Sequence, residues 1–375
     1  KNNRPPEDFH IIFEFELTYS MFSPKFTITP EILKNIGAIE AAKAVLEKAP
    51  LVPSYEKSFQ AEAVLRTVHF GTRIEGNELS LNQAAQAMAG REVLAGRRDV
   101  QEVINYREVV DFIDQLGKEK KEQFSYEEED FLKIHALVCN RILPPKKCGR
   151  YRQTAVVVRS PSGETVFKAP PAIEVPYLVR SFFAFLNSQK GREVHPVLRA
   201  GIAHYILVAI HPFVEGNGRT ARAFANLVLF AEGYDVRRLF SLEEYFDKNL
   251  NDYYHFLKKT SDQSADLAKR DLTAWLEFFS RGLAEELTKV KEQVEKLSVD
   301  QSLRQKLGGK QIALSARQVK LMEQINQGGG IDMNTARQVL PMVSDDTILR
   351  ELQDLRKKGI IRKVGRTKGV RYVLR

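Results

Sequence analysis

The sequence predicts a mainly helical protein with one internal β-hairpin and a winged helix-turn-helix at its C-terminal end. Most of the chain carries apolar residues at the three- and four-residue spacing of amphipathic helices. One stretch, TAVVVRSPSGETVFKAPP, instead has β-branched runs on both sides of Ser-Pro-Ser-Gly, as in a hairpin with a longer loop. The last segment shows three short helical patterns and then two β runs around a turn rich in glycine and basic residues, which is a winged-helix order.

The N-terminal region, residues 1–100, is predicted to be helical. A strong helix begins at Thr29 and Pro30, because threonine is a good N-cap and proline suits the first helical turn. The next pattern, YEKSFQAEAVLRTVHFGTRIEGN, ends at Gly76 and Asn77, which favour a helix stop. Two more helices are predicted from DVQEVINYREVVDFIDQL and YEEEDFLKIHALVCNRIL.

Helical patterns return after the hairpin. PVLRAGIAHYILVAI is apolar on nearly every side, which is typical of a helix at the centre of a bundle. LTAWLEFFSRGLAEELTKVKEQVEKL is long and amphipathic, and we predict that it connects the body to the C-terminal segment. The other helices predicted here are IEVPYLVRSFFAFLNS, RAFANLVLFAEG and LEEYFDKNLNDYYHFLKKTSD.

The composition is that of a soluble globular protein, with 43% hydrophobic and 28% charged residues among 375. No apolar run approaches the roughly 18 residues of a membrane span, and HIIFEFEL near the N-terminus is unlike a signal peptide. The two cysteines, Cys139 and Cys148, are too few for a disulfide framework and lack a CxxC partner for zinc. We therefore expect a cytoplasmic protein with no membrane partner.

The net charge of +9 is concentrated at the C-terminal end. Residues 315–375 contain 13 Lys and Arg against 6 Asp and Glu, which leaves only +2 on the rest of the chain. A basic segment on a near-neutral body suggests nucleic acid as a partner. Together with the helical patterns, this predicts an N-terminal region (1–100), a core (101–285), a helical linker (286–314) and a winged-helix domain.

The stretch HPFVEGNGRTAR, residues 211–222, combines residue types that suit phosphate binding. Gly216 and Gly218 let the backbone approach a ligand closely. A helix is predicted to begin at Asn217 or Gly218, and the unpaired N–H groups and dipole of a helix start favour an anion. The backbone of this stretch therefore predicts an anion site.

The charged side chains of the stretch fit the same task. Arg219 and Arg222 are three residues apart, so both project from one side of the predicted helix, as paired arginines on a polyphosphate would. Glu215 can hold a divalent metal ion against phosphate oxygens. His211, at the end of a buried helix, can act as a base near neutral pH.

A single His-Pro or Gly-x-Gly would more often mark a helix break without chemistry. We interpret His195, which precedes a proline, as a helix start, and His204 as a core residue of an apolar helix. For the whole cluster of base, acid, glycines, amide and two arginines, a phosphate site is the better interpretation.

The stretch resembles the signature of the Fic family, His-x-Phe-x-(Asp or Glu)-Gly-Asn-Gly-Arg-x-x-Arg, at every specified position. The resemblance covers about residues 100–280, and the hairpin at 154–171 resembles the family's flap, which registers a target by strand pairing. It implies a compact Fic-type helical core and a protein adenylyltransferase. Such an enzyme transfers AMP from ATP, with Mg²⁺, to a hydroxyl of a protein target, which can be the chain itself.

The resemblance also implies roles for individual residues. His211 would deprotonate the target hydroxyl, Glu215 would bind Mg²⁺ and Arg222 would hold the γ-phosphate of ATP. EEYFDKNLNDYY resembles a segment in which an asparagine approaches the nucleotide, here Asn249. The other residues implied at the ATP site, three of them as an anion hole, are Phe213, Gly216, Asn217, Gly218 and Arg219.

GTRIEGN, residues 71–77, resembles the inhibitory helix of the same family, (Ser or Thr)-x-x-x-Glu-(Gly or Asn). The resemblance implies that Glu75 pairs with Arg222 and blocks productive binding of the γ-phosphate. The sequence departs from the pattern at the first position, where Gly71 stands and Thr72 follows one residue late.

Two alternatives to an autoinhibited adenylyltransferase stay open. In the first, the chain is a DNA-binding transcription regulator whose Fic-like domain senses nucleotide, although Asp345 and Asp346 at the start of the predicted recognition helix would repel phosphate. In the second, Glu75 orients a water molecule that removes AMP from the target. A monomer and a homodimer are both compatible with the sequence.

Overall fold

The structure, a computed structural model, describes residues 22–49, 53–119, 124–159, 165–306, 314–341, 343–365 and 370–375. Over these residues the chain is mainly helical, with two antiparallel hairpins, as predicted. The helices of the body are α1 (Pro30–Lys48), α2 (Pro53–Arg73), α3 (Leu81–Met88), α4 (Arg97–Glu119), α5 (Glu128–Val138), α6 (Val175–Asn187), α7 (Gln189–Glu193), α8 (Pro196–Ile210), α9 (Asn217–Ala231), α10 (Leu242–Lys248), α11 (Leu250–Ser261) and α12 (Thr273–Lys306). The stretch HIIFEFEL, which we judged unlike a signal peptide, lies outside the described residues.

Several helix ends follow the local signals of the sequence. The Thr29 hydroxyl accepts a hydrogen bond from the N–H of Ile32 at 3.3 Å, so Thr29 is the N-cap of α1 and Pro30 its first residue. Helix α2 ends at Arg73, and the chain leaves it through a turn in which Gly76 has φ of 93°. His195 is the N-cap of α8, which confirms that it starts a helix.

Other helix ends differ from the prediction. The pattern LEEYFDKNLNDYYHFLKKTSD forms two helices instead of one, because the chain leaves helical geometry at Asn249 (φ −115°, ψ 40°) between α10 and α11. The Asn249 side-chain amide donates to the carbonyl of Tyr245 at 2.9 Å, a local bond by which asparagine competes with the helix ladder. Helix α5 ends at Val138, five residues before the end of the predicted pattern. Helix α3, which Ser80 and Gln83 start with a capping box, was not predicted.

One hydrophobic core extends through the body from Ile32 in α1 to Val294 in α12. Helix α8 lies within it and is buried on nearly every side, as its composition predicts. Helix α12 packs along α1 and runs through the predicted boundary at 285/286, with Leu287 and Val290 still in this core. No helix within the described residues is long and apolar enough to cross a membrane.

The first hairpin joins β1 (Val157–Arg159) to β2 (Thr165–Lys168). Val157 lies opposite Lys168 and Val158 opposite Phe167, and the register shifts before Arg159. The tip of the predicted flap, residues 160–164, lies outside the described part of the chain.

The C-terminal segment has a separate hydrophobic cluster, which includes Leu321, Ile348, Leu352 and Tyr372. Strands β3 and β4 pair in antiparallel register, and Ile331 bridges to Tyr372. The elements of this segment are α13 (Ala316–Gly328), α14 (Met333–Val339), α15 (Asp345–Lys357), β3 (Ile361–Val364) and β4 (Arg371–Leu374).

Candidate active site

His211 lies at the point where the buried helix α8 ends. Its backbone is in the left-handed region (φ 51°, ψ 58°), a conformation that turns the chain out of the helix and that few residues other than glycine adopt. Its ring Nδ1 is 3.2 Å from the carbonyl oxygen of Val208. Because a carbonyl can only accept, Nδ1 carries the proton of the neutral ring, and Nε2 is the basic nitrogen. Burial lowers the pKa of His211 below its usual value, although the Val208 bond and Glu75 act in the opposite direction.

Arg152, a buried residue that sequence reasoning missed, holds this turn in place. Its Nε donates to the carbonyl of His211 at 2.8 Å. Its two terminal nitrogens donate to the carbonyls of Thr154 at 3.0 Å and Pro170 at 2.6 Å, on the two sides of the β1–β2 hairpin. One guanidinium therefore ties both ends of the hairpin to the backbone of His211.

The loop after His211 is closed by Asn217. The Asn217 amide accepts from the N–H of Phe213 at 2.9 Å and donates to the carbonyl of the same residue at 3.0 Å. The Phe213 ring is fully buried beneath the loop and stacks on His135, with ring centroids 3.6 Å apart and planes at 2°. The side chains of Phe213 and Asn217 thus shape the loop from within.

His135 fixes the other end of this loop. Its Nδ1 accepts from the N–H of Gly149 at 2.9 Å, so the proton of the neutral ring is on Nε2, which lies 3.1 Å from the carbonyl oxygen of Glu215. Burial lowers the pKa of His135 to about 4, so the ring is neutral at neutral pH. No motif in the sequence marks His135, because its partners come from two distant segments.

Helix α9 begins at Asn217, as predicted, after Gly216 in the left-handed region (φ 77°). A side chain at Gly216 would also be crowded, because its Cβ would lie 3.0 Å from the sulfur of Cys139. A Cβ at Gly218 would collide with the carboxylate of Glu75. The first N–H groups of α9 have no acceptor within the helix, so this terminus is suited to an anion.

Glu215 and Arg219 belong to a ring of four charged side chains. The Glu215 carboxylate pairs with Arg98 and, at 3.3 Å, with Arg219. Glu102 pairs with both arginines in turn, at 3.1 Å to Arg219 and 3.2 Å to Arg98. Arg98 and Glu102, on α4, were not predicted, and they place a second carboxylate on the first arginine of the motif.

Arg222 is held by the end of α2, by the turn that follows it and by α11. Its Nη2 donates to the Glu75 carboxylate at 2.8 Å and to the carbonyl of Gly71 at 2.9 Å, and its Nη1 is 3.3 Å from the hydroxyl of Tyr253. The Arg222 side chain is 1% exposed and that of Glu75 30%. Burial by itself would raise the pKa of Glu75. The positive charges of Arg222 and Arg219 have a larger effect in the opposite direction, so the pKa lies below its usual value. The carboxylate is therefore ionised at neutral pH.

The sequence of this turn departs from the family pattern for a structural reason. A Cβ at Gly71 would collide with the ring of Tyr106, and the Gly71 carbonyl itself binds Arg222. The Thr72 hydroxyl donates only within α2, to the carbonyls of Val68 and His69, both at 3.0 Å. Glycine is thus the residue that fits the first position here.

The far side of the turn is anchored by Asn77 and Tyr254. The Asn77 amide donates to Glu102 at 3.1 Å and to the carbonyl of Asp99 at 3.0 Å, and the Tyr254 hydroxyl donates to the carbonyl of Ile74 at 3.2 Å. Because Glu102 also pairs with Arg219, the turn is connected to both arginines of the motif.

A cavity of about 140 Å³ lies beside these residues. It brings together three predicted site residues, His211, Gly218 and Glu75. The other predicted site residues are not among its lining residues: Phe213, Glu215, Gly216, Asn217, Arg219, Arg222 and Asn249. The lining residues are Glu75, Val208, Ala209, His211, Gly218, Tyr253, Tyr254, Leu257, Lys258 and Ser261. The tyrosines and Lys258 of α11 were not predicted.

His204 and the cysteines take no part in this cavity. His204 is fully buried, stacks on Trp275 and lies 3.1 Å from the Tyr253 hydroxyl, which confirms that it is a core residue. Cys139 and Cys148 are both free thiols. The described part of the chain contains no cluster of three or more His, Cys, Asp or Glu side chains that could hold a metal ion.

Residues 125–229 match the model of the Fic/DOC family. The chain is 29% identical over 229 residues to a protein named Protein adenylyltransferase Fic from Drosophila grimshawi, a match that covers 60% of this chain and 42% of the relative. A protein of the same name from Nematostella vectensis is 29% identical over 203 residues, 53% of this chain and 44% of the relative. The chain thus spans less than half the length of these curated relatives.

Solved structures are similar over more of the chain. The crystal structure of a Fic family protein from Desulfovibrio desulfuricans G20 covers 94% of this chain and 98% of its own, with a TM-score of 0.64 and 26% identity. Fic-1 from C. elegans has a TM-score of 0.55 at 24% identity, over 72% of this chain and 74% of its own, and has the same fold.

Proposed function

We propose, from the match of residues 125–229 to the Fic/DOC family, that the protein is a protein adenylyltransferase, a nucleotidyltransferase that Glu75 holds in an inhibited state. The observation that carries the proposal is that His211, whose Nε2 is the basic nitrogen, lines one cavity together with Gly218 at the start of α9. The relatives named Protein adenylyltransferase Fic support the reaction type.

The proposed reaction places His211 as the general base. Its Nε2 takes the proton from a Ser, Thr or Tyr hydroxyl of the target, and the hydroxyl oxygen forms a bond to the α-phosphorus of ATP. The bond between the α-phosphorus and the oxygen that bridges to the β-phosphate breaks, and pyrophosphate leaves with its electron pair. Catalysis then rests on positioning and on neutralising the phosphate charge.

The phosphates of ATP would be held by the start of α9 and its two arginines. The N–H groups from Gly216 to Gly218 would form the anion hole, while Arg219 and Arg222 would bind phosphate oxygens. Asn249 is a proposed nucleotide contact by family resemblance only, since its amide is bound to the Tyr245 carbonyl. Phe213 would act on the nucleotide indirectly, by supporting the loop.

Glu215 is the residue that would hold Mg²⁺. Its carboxylate immediately precedes the anion site and is partly exposed, and one carboxylate suits an ion that takes its other ligands from phosphates and water. When bound, Mg²⁺ would supply positive charge to the phosphate oxygens. Binding would require the Glu215 carboxylate to exchange at least part of its contact with Arg98.

Inhibition by Glu75 follows from its contact with Arg222. While the carboxylate neutralises this arginine and lies against Gly218, the γ-phosphate cannot take the same position. The alternative in which Glu75 orients a water molecule for removal of AMP uses the same location, since the carboxylate also lines the cavity beside His211. In both interpretations Glu75 acts between Arg222 and His211.

The C-terminal segment is a second, separate proposal. Residues 315–375 contain the three helices and the hairpin of a winged helix and carry a net charge of +7, which supports a role in binding DNA. Against this, Asp345 at the start of α15 forms a two-point ion pair with Arg337, at 2.6 and 2.9 Å, and so neutralises a cation where base-reading side chains usually lie. We also propose that the chain divides into residues 1–100, 101–285, 286–314 and 315–375. A cytoplasmic location is a further proposal.

Mass spectrometry of the Glu75→Gly protein incubated with Mg²⁺ and each of ATP, GTP, CTP and UTP tests the proposed enzyme. We expect a mass increase of one AMP with ATP, at a Ser, Thr or Tyr, and no increase when His211→Ala is added. Absence of any nucleotide adduct on the chain and on a mixture of cellular proteins would contradict the proposal.

A further inference from the structure

A second cavity, a groove of about 970 Å³, borders the catalytic loop on a different side. Val214, which lies between the buried Phe213 and Glu215, contributes to its wall and is 37% exposed. Leu132 of α5 provides a second apolar wall residue. The rest of the lining comes from Lys146, Lys147, Gly149, Arg150, Tyr151, Arg152, Gln153 and Thr154.

This groove is directly connected to the reacting residues. Arg152, one of its wall residues, binds the carbonyl of His211, and the backbone N–H of Arg152 donates to the carbonyl of Pro212 at 2.9 Å. The chain runs from Thr154 on the groove wall to the start of β1 at Val157, three residues later. A segment lying in the groove would thus pass beside the loop that carries His211 and Glu215.

The groove is basic, although the body of the protein is nearly neutral. Lys146, Lys147 and Arg150 are all exposed, and none of them has an ion-pair partner among the described residues. Among the described residues, no carboxylate is part of the lining. These three cations have no ion-pair partner in the described part of the chain, and they lie in one groove although the 314 residues before the C-terminal segment carry a net charge of only +2.

We propose that this groove binds an acidic segment of the protein target, with the acceptor hydroxyl next to it and an apolar side chain against Val214 and Leu132. This inference rests on the proposed adenylyltransferase function and names the chemistry of its substrate. Charge complementarity selects acidic partners by raising the association rate and by excluding basic ones. ATP has its own anion site at the start of α9, so the groove cations are available to the protein substrate.

The lining favours a peptide over a nucleic acid. Proteins that bind single strands use exposed aromatic rings on which bases stack. Tyr151 is the one aromatic residue among the described residues that line the groove, and it is only partly exposed. Its ring centroid is 5.8 Å from that of Phe213, and its hydroxyl donates to Glu128 at 2.8 Å. Its ring is therefore already engaged.

The test is a binding experiment that needs no catalysis. The full chain is titrated against three fluorescein-labelled probes: a peptide of alternating glutamate and serine, a peptide of alternating lysine and serine, and a single-stranded oligonucleotide. The groove variant carries Lys146→Gln, Lys147→Gln and Arg150→Gln. The control variant removes the same charge from exposed positions of α1 and α2, by Lys34→Gln, Lys48→Gln and Lys57→Gln.

We expect the acidic peptide to bind wild type and the control variant with similar affinity, and the groove variant about tenfold more weakly, with a melting temperature that shows the variant to be folded. The basic peptide should not bind. Equal binding of the acidic peptide to wild type and groove variant, no binding to wild type, or tighter binding of the oligonucleotide that the groove variant loses would each overturn the proposal. Because AMP transfer is not measured, failure here is distinct from failure of the proposed reaction.

In the Glu75→Gly background, the charge-reversed groove (Lys146→Glu, Lys147→Glu, Arg150→Glu) gives a second readout. A degenerate peptide pool with a central serine, threonine or tyrosine is incubated with ATP and Mg²⁺, and the labelled peptides are identified by mass spectrometry. Enrichment of Asp and Glu beside the acceptor that changes to Lys and Arg in the reversed variant supports the proposal. Labelled peptides with no charge bias, or with the same bias for both proteins, contradict it.

Discussion

Arg222 and Glu75 are 147 residues apart in the chain, yet a nitrogen of the guanidinium donates to the carboxylate at 2.8 Å. The Arg222 guanidinium is buried, whereas the Glu75 carboxylate lines the cavity. A ligand can therefore compete with Glu75 for Arg222 only from the cavity side. A phosphate that binds Arg222 must replace Glu75 there, whereas the contacts of Arg222 with the Gly71 carbonyl and the Tyr253 hydroxyl can persist.

This competition predicts a change in nucleotide selectivity. Wild type should bind ATP and ADP with similar affinity, because Glu75 holds Arg222, the residue proposed to bind the γ-phosphate. In Glu75→Gly, ATP should bind about tenfold or more tightly than ADP, since a charge-assisted contact with an arginine contributes roughly 1.5–3 kcal/mol. Isothermal titration calorimetry with Mg²⁺ measures both affinities.

Glu62→Gly is the control, because Glu62 is an exposed glutamate of α2, the helix that precedes the turn with Glu75. It should leave the ratio of the two affinities as in wild type. A ratio near one for Glu75→Gly would contradict the assignment of Arg222 to the γ-phosphate.

The pKa of His211 predicts how a proton-dependent rate responds to pH. Burial lowers this pKa below its usual value, while the negative charge of Glu75 raises it. A base acts in its neutral form, so the rate should increase with pH through the pKa and reach a plateau above it. Removing Glu75 removes a raising influence, and the rising limb should move to lower pH.

Proton NMR of the histidine ring signals measures this shift directly, with His211 assigned by its loss in His211→Ala. We expect the His211 pKa in Glu75→Gly to lie below that in wild type, and the His135 pKa, which burial sets at about 4, to change less. An upward shift of the His211 pKa on removal of Glu75 would be inconsistent with the geometry.

Arg152 is predicted to position the base without binding the nucleotide. Arg152→Lys keeps the charge but cannot reproduce the bonds to the carbonyls of His211, Thr154 and Pro170 together. In the Glu75→Gly background we expect the maximal rate of AMP transfer to fall about tenfold or more, since misplacement of a catalytic group by about 1 Å can have that effect. The affinity for ATP should change less than twofold.

Arg180→Lys serves as the control, because Arg180 is exposed and makes only a weak bond within its own helix. It should change neither the maximal rate of AMP transfer nor the affinity for ATP. Equal losses of rate and of ATP affinity in Arg152→Lys would indicate a general loss of structure instead of a positioning role.

Gly216→Ala tests the requirement for the left-handed start of α9. An L-residue at φ of 77° costs about 1–2 kcal/mol, and the new Cβ would be crowded by Cys139 and Val138. We expect the free energy of unfolding in urea to fall by about 1–3 kcal/mol. Gly37→Ala, at an exposed position of α1 with no atom near the new Cβ, should instead raise it by about 0.5–1 kcal/mol.

The candidate site residues that residue types and spacing alone predicted all lie in one short segment of the chain. His211, Glu215, Gly216, Gly218 and the two arginines lie within twelve residues, and the helix start at Asn217 follows from the same local signals. The contact between Glu75 and Arg222 was predicted only through family resemblance, because nothing in either segment specifies a partner so far away.

The residues that sequence reasoning missed act through contacts that exist only in the folded chain. Arg152 binds carbonyls of three separate segments, and Glu102 joins α4 to both Asn77 and Arg219. No spacing or composition marks such residues. Asn249 was proposed because its segment resembles one of the family. Its backbone leaves the helix where its side chain bonds to the Tyr245 carbonyl, and the spacing of apolar residues does not predict this bond.

The most direct test of the account is the rate of AMP transfer from labelled ATP by wild type, Glu75→Gly, and Glu75→Gly combined with His211→Ala, at equal protein and Mg²⁺ concentrations. If the ion pair with Arg222 restrains an adenylyltransferase, Glu75→Gly should label itself or its target at least about tenfold faster than wild type, and the double variant should not label at all. Equal rates for wild type and Glu75→Gly, or labelling that persists without His211, would contradict the central claim.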